Sequence, residues 1–163
     1  MNKFEFMYKR LKGLYWPFVK YGVAFLLFHN TFYTLGIYTS TFGWNGKTNF
    51  LYGWTDIFAR LADIIAFRGG GENLLGAFWF LPVLFFSSVG AMLYFWVSKK
   101  IIKKSLYACV VGVGFFLFLA AVLSKLDLSV WEINKRTMFA GALYLIGFML
   151  HKYFERIMQP FFL

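Results

Sequence analysis

Four stretches of this chain are apolar for close to twenty residues each, about the length of helix that crosses 30 Å of hydrocarbon. They run from 18 to 38, 77 to 97, 105 to 124 and 137 to 153. Alternation of period two is absent and the runs are too long for barrel strands, so helices are the only spanning elements the pattern allows. Composition agrees. Of the residues, 60% are hydrophobic and 24% aromatic, against about 45–50% apolar in an ordinary soluble domain. A water-soluble fold of this size could hardly cover 23 Phe, 10 Tyr and 6 Trp with polar surface. The sequence therefore predicts an all-α, polytopic integral membrane protein with about four transmembrane helices, forming a single membrane domain over residues 1–163, with the lipid bilayer as its first partner.

The net charge of +10 does not mark a nucleic-acid partner, because the cations are not spread over one face. Lys9, Arg10 and Lys12 precede the first run, and Lys99, Lys100, Lys103 and Lys104 lie between the second and third. Such clusters mark cytoplasmic flanks. They place both termini on the cytoplasmic side of the cell inner membrane, with 39–76 and the loop 125–136 outside. The start, "MNKFEFMYKRLKGLYW", has no secretory signal, so the first span does the targeting. The lone Cys109 excludes an intrachain disulfide.

Within the outer segment, "WTDIFARLADIIAF" (54–67) repeats Trp54, Ile57, Phe58, Leu61, Ile64 and Ile65 at helical spacing, with Asp56, Arg60 and Asp63 on the other side. This predicts an amphipathic helix lying in the membrane interface. The glycine run in "RGGGENLLGAFWFLP" (68–82) ends it.

His29 and Asn30 interrupt the first run at mid-depth, where a polar side chain must face protein or a water-filled cavity. Gly22, Phe25, His29, Tyr33 and Gly36 share one helical face. Small residues on it point to close packing. His29 reads either as a hydrogen-bond donor to a neighbouring helix or as part of a substrate or proton path, and Asn30 has the same two readings. Trp79 reads as an interfacial aromatic or a site residue. Arg136 and Arg68 read as snorkelling cations or as anion-holding groups at a cavity mouth, and His151 as a cytoplasmic flank. Ser87, Gly90 and Ala91, and likewise Gly112 and Gly114, read as packing positions. The candidate substrate-binding set is thus His29, Asn30, Tyr33, Trp79 and Arg136, with no catalytic residue assigned. Two histidines on different helices and one cysteine give no metal site. No Gly-x-Ser-x-Gly or phosphate loop is present.

Three segments carry a resemblance. "YKRLKGLYWPFVKYGVAFLLFHNTFY" (8–33), "LLGAFWFLPVLFFSSV" (74–89) and "NKRTMFAGALYLIGFMLHKYFE" (134–155) resemble, in order and rough spacing, an interior part of the acyltransferase 3 family of membrane O-acyltransferases. The resemblance implies acyl-CoA, such as acetyl-CoA, as donor and a hydroxyl of a cell-envelope carbohydrate as acceptor, with no bound cofactor. The family's general-base histidine lies on a helix upstream of the first motif, and His29 does not match it. Acyl transfer to a hydroxyl needs such a base. The expectation is therefore a truncated acyltransferase-like chain, inactive alone and completed by a complementary chain that supplies missing helices. The alternative is a non-catalytic small membrane protein, a transporter component or assembly factor.

Overall fold

The structure is a computed structural model and describes residues 3–37, 50–68 and 78–158. Among these residues every regular element is helical: α1 (Lys3–Arg10), a π-helical turn (Leu11–Tyr15), α2 (Trp16–Thr34), α3 (Trp54–Ile65), α4 (Phe80–Ile101), α5 (Ser105–Lys125) and α6 (Lys135–Met158). The chain divides into two compact units, Met1–Pro82 and Val83–Leu163.

In the first unit, α1, the π turn and α2 form one continuous helical run. Proline explains the interruption. Pro17 has no N–H to return to the preceding turn, and its ring crowds the carbonyl there. The helix widens to π geometry directly before it, with the Trp16 N–H reaching back to the Leu11 carbonyl. The sequence pattern did not predict α1. Its ends complement the helix dipole, with Glu5 in the first turn and Lys9 and Arg10 in the last. Glu5 and Lys9 pair at 2.7 Å.

Helices α2, α3 and α5 end in the same way. After each, one residue turns left-handed: Gly36 (φ 72°), Phe67 (φ 59°) and Asp127 (φ 47°). The next amide then reaches back to a carbonyl five residues earlier: Ile37 to Phe32, Arg68 to Asp63 and Leu128 to Leu123. This exchange satisfies carbonyls that a helix end would otherwise leave orphaned. At Gly36 the conformation is free of steric cost, and it stops α2 short of the predicted end at 38.

In the second unit, α4, α5 and α6 pack through size complementarity. The core is Ala91, Phe116, Ala142 and Leu145. The Phe116 ring lies against Gly90 and Gly141. Gly112 admits Tyr94 and Leu145 so closely that a Cβ there would stand 2.6 Å from Leu145 Cδ1. Tyr94 also donates its hydroxyl to the Ala108 carbonyl, 3.0 Å away. Phe95 and Phe148 meet edge to face at 5.2 Å. At the start of α6, Asn134 Oδ1 accepts the amides of Arg136 and Thr137, an N-cap.

Among the described residues, two helices, α4 and α5, are long and apolar enough to cross a membrane. Only 28% and 22% of their most apolar stretches are buried. The rest faces outward, through side chains such as Leu93, Val97, Val110, Val111 and Phe118. A core helix of a soluble protein would bury most of such a stretch. The α2 and α6 sequences are less apolar, since Lys20, His29 and Asn30 lie within α2 and Lys135, Arg136, His151 and Lys152 within α6.

Gly112→Ala is expected to destabilise the second unit by about 1–3 kcal/mol through overpacking. Gly114, where a Cβ meets nothing within 4 Å, should accept alanine within about 0.5 kcal/mol. Unfolding of both variants in detergent micelles tests the pair.

Candidate functional site

The polar pair in the first apolar run organises the first unit. Phe18, Gly22, Leu26 and His29 lie on the buried face of α2. His29 is fully buried. The sequence suggested a bond to a neighbouring helix; the structure sets His29 against the segment 50–53 that leads into α3. The imidazole stacks on the Tyr52 ring, with centroids 3.5 Å apart and planes 6° from parallel. Its Nε2 is 3.0 Å from the Phe50 carbonyl oxygen. A carbonyl only accepts, so Nε2 carries the proton and donates.

Asn30 engages the same segment with both ends of its amide. Oδ1 accepts the Tyr52 N–H at 2.8 Å, and Nδ2 donates to the Tyr52 carbonyl at 3.0 Å. A side-chain carboxamide thereby does for Tyr52 what a paired strand would do. This pattern also fixes which end of the amide is oxygen. Together, these hydrogen bonds and the ring stack tie residues 50–52 to α2, and a segment with no strand beside it among the described residues keeps the Tyr52 backbone paired.

From this tie α3 follows. Gly53 is extended (ψ 175°) and caps the helix. Asp56 Oδ2 accepts the Gly53 N–H at 3.0 Å, and its charge suits the positive end of the helix. Arg60, one turn on, lies over the Tyr52 ring at 5.8 Å. The far end is fixed by aromatics. Phe67 is buried, edge-on to Tyr15 and Phe18 at 5.2 and 4.9 Å. Tyr15 donates its hydroxyl to the Ile65 carbonyl at 2.9 Å, and Arg68 pairs with Asp63 at 3.0 Å. A left-handed phenylalanine is strained, and its buried ring contacts offset that cost.

The amphipathic helix expected over 54–67 is α3, with a divided apolar surface. Ile64 is buried, whereas Trp54, Phe58 and Ile65 face outward. Asp56, Arg60 and Asp63 are half-buried.

The remaining candidates scatter. Tyr33 is half-buried one turn beyond His29, and its carbonyl accepts the Gly36 amide in the helix stop. Trp79 is 41% exposed, in a short 3₁₀ turn before α4. Arg136 is exposed on the first turn of α6, in the second unit. His151 is exposed on α6. The structure therefore groups His29, Asn30 and Tyr33 on α2, and leaves Trp79 and Arg136 on other elements. Among the described residues no three His, Cys, Asp or Glu side chains converge as a metal site would require. Sequence reasoning missed Tyr52 and Phe50. The signal was present as aromatics at 50, 52 and 54, the alternation of an extended segment, ahead of a glycine with Asp three residues on.

Known protein families, curated proteins and solved structures were each searched, and none matches this chain.

Asn30→Ala is expected to strand both backbone groups of Tyr52 and to cost about 1–3 kcal/mol. It should open a new protease-sensitive bond within residues 50–53. Thermal melting and limited proteolysis in detergent check this; an unchanged digest and melt would contradict the assignment.

Proposed function

We propose that this chain is a non-catalytic protein of the cytoplasmic membrane, a component of a larger membrane assembly such as a transporter or an assembly factor. The observation that carries the reading is the use made of His29 and Asn30. The mid-run polar pair spends its hydrogen bonds on the chain's own backbone, with the imidazole buried under Tyr52. A general base needs a face open to the group it deprotonates, and His29 is wholly covered.

Four spans, near α2, α4, α5 and α6, are part of the proposal. Its support is the outward apolar surface of α4 and α5 together with the lysines around the turn between them. Lys99 lies over Phe95, Lys100 over Trp96 and Lys104 over Tyr107, at 5.4, 4.6 and 5.6 Å. Cations held over aromatic rings at helix ends suit a membrane boundary. The outward stripe of Trp54, Phe58 and Ile65 suits α3 lying in the opposite interface.

The acyl-transfer reading rests on the order of three motifs. It would make this chain the interior part of a carbohydrate O-acyltransferase, with acyl-CoA as donor and a second chain supplying the base. The two readings separate by experiment. Neither reading lets the chain alone release CoA, so the discriminating assay co-expresses it with a complementary chain that carries a base-bearing helix. The non-catalytic reading predicts no glycan acetylation there, and His29→Ala should lower abundance alone. Glycan acetylation that needs both chains would overturn the non-catalytic reading.

Topology is tested in a Cys109→Ala background with an impermeant maleimide. Lys9→Cys and Lys103→Cys should label from the cytoplasmic side, and Ser129→Cys from the other. Labelling of Ser129→Cys and Lys103→Cys from one side would contradict the four spans.

A further inference from the structure

Between Glu72 and Asp127 the chain carries no acid. That stretch holds α4, the turn after it and α5, and its cations are Lys99, Lys100, Lys103, Lys104 and Lys125. The first four crowd into one turn and are all exposed. Among the described residues no carboxylate pairs with them. Helix α6 adds charge of the same sign. Its Phe148 meets Phe95 edge to face at 5.2 Å, so its next turn brings the exposed His151 and Lys152 toward the level of Lys99. The one acid of α6, Glu155, lies a further turn along, beside Arg156. This end of the second unit therefore holds an excess of positive charge that the chain itself does not balance.

The lean of the ammoniums selects the partner. Lys99 and Lys100 fold back one turn along α4, over Phe95 at 5.4 Å and Trp96 at 4.6 Å. Lys104 stands at the N-cap of α5 with extended backbone and reaches forward over Tyr107 at 5.6 Å. Helix α4 runs toward the turn and α5 away from it, so all three ammoniums lean toward the apolar bodies of the helices. A polyanion in solution, a nucleic acid or an acidic protein, would approach at the tip of the turn, away from them. Around them stand Val97, Ile101 and Leu106, each at least half exposed. An anion that meets the ammoniums at this depth must itself carry hydrocarbon.

We infer that the turn 98–104 is a binding surface for anionic phospholipid headgroups, met by the ammoniums of Lys99, Lys100 and Lys104. The inference rests on the reading of α4 and α5 as membrane-spanning and adds a headgroup preference to it. The rings hold three ammoniums in place beforehand, so a headgroup need not order them. Lys103, which no ring among the described residues holds, lacks that advantage.

The experiment places the full chain in phosphatidylcholine vesicles and compares spin-labelled phosphatidylglycerol with spin-labelled phosphatidylcholine. The motionally restricted fraction of each spectrum gives the relative affinity. Phosphatidylglycerol should be preferred. Lys99→Gln, Lys100→Gln and Lys104→Gln should each lower the preference by up to about fivefold, with no change in melting temperature, and Lys103→Gln by less than any of them. Trp96→Leu and Tyr107→Leu, at exposed positions, keep every charge yet should also lower it. Equal affinity for the two lipids, an equal loss from all four lysine variants, or a preference that both ring variants leave intact would overturn the inference. Displacement of the lipid by glycerol phosphate, beyond that by chloride at the same ionic strength, would show a site for free phosphate and overturn it too. Carbonate extraction of cell membranes tests the membrane reading separately. A chain that resists carbonate but shows no preference overturns this inference alone, and a chain that carbonate extracts overturns both.

Discussion

Asn30 gives both halves of its amide to the backbone of Tyr52, and the first unit depends on that exchange. A backbone N–H and C=O away from water must be paired, or each costs about 1–3 kcal/mol. A helix pairs its own groups. The extended segment 50–53 does not, and among the described residues no strand lies beside it. Asn30 takes that role, and His29 extends it to the Phe50 carbonyl. The stack of His29 on Tyr52 then sets the segment against α2. Gly53 and Asp56 start α3 from the point so fixed, and Phe67 closes its far end against Tyr15 and Phe18. Each link orders the next, so α3 inherits its place from two polar side chains in an apolar helix.

The second unit solves a different problem with different means. Its helices have few polar groups to pair, so close approach of backbones provides the cohesion. Glycines sit opposite the largest rings: Gly90 and Gly141 against Phe116, and Gly112 against Tyr94. Tyr94 adds a hydroxyl bond to Ala108. Most of the apolar surface of α4 and α5 remains outside this core. In water that surface would be a liability. In hydrocarbon it is the solvated face.

Much of the helical layout was legible in the sequence. The predicted 105–124 is α5 nearly residue for residue, and 54–67 contains α3, because apolar periodicity and flanking charge both end there. Where the two signals part, the prediction drifts. Helix α4 continues to Ile101, beyond the predicted 97, because Lys99 and Lys100 end the apolar run without ending the helix. Helix α1 was missed, being too short and too polar to announce itself by hydropathy. Gly112 was correctly read as a packing position, whereas Gly114 was not distinguishable from it, since only the partners across the interface separate them. Among the candidate site residues, the buried face carrying His29 was legible only in part: Gly22 and His29 lie on it, whereas Phe25 and Tyr33 are half-buried and Gly36, expected to pack closely, is exposed in the helix stop. The partners of His29 were not legible, because the tie joins residues some twenty positions apart through side chain and backbone, and backbone acceptors leave no mark on a sequence.

The functional reading follows from that tie. A histidine and an asparagine at mid-run invite a catalytic or transport interpretation, yet the bonds they make here run to the backbone of Phe50 and Tyr52, and the proposal takes them as architectural. The most direct measurement is amide hydrogen exchange of Tyr52 in the intact chain in nanodiscs. The account predicts that this amide exchanges far more slowly than that of the exposed Leu51 beside it, since its donor is held by a side chain 22 residues away. Equal and rapid exchange at both positions would mean that Asn30 does not hold the segment, and the structural role assigned to the pair would fail.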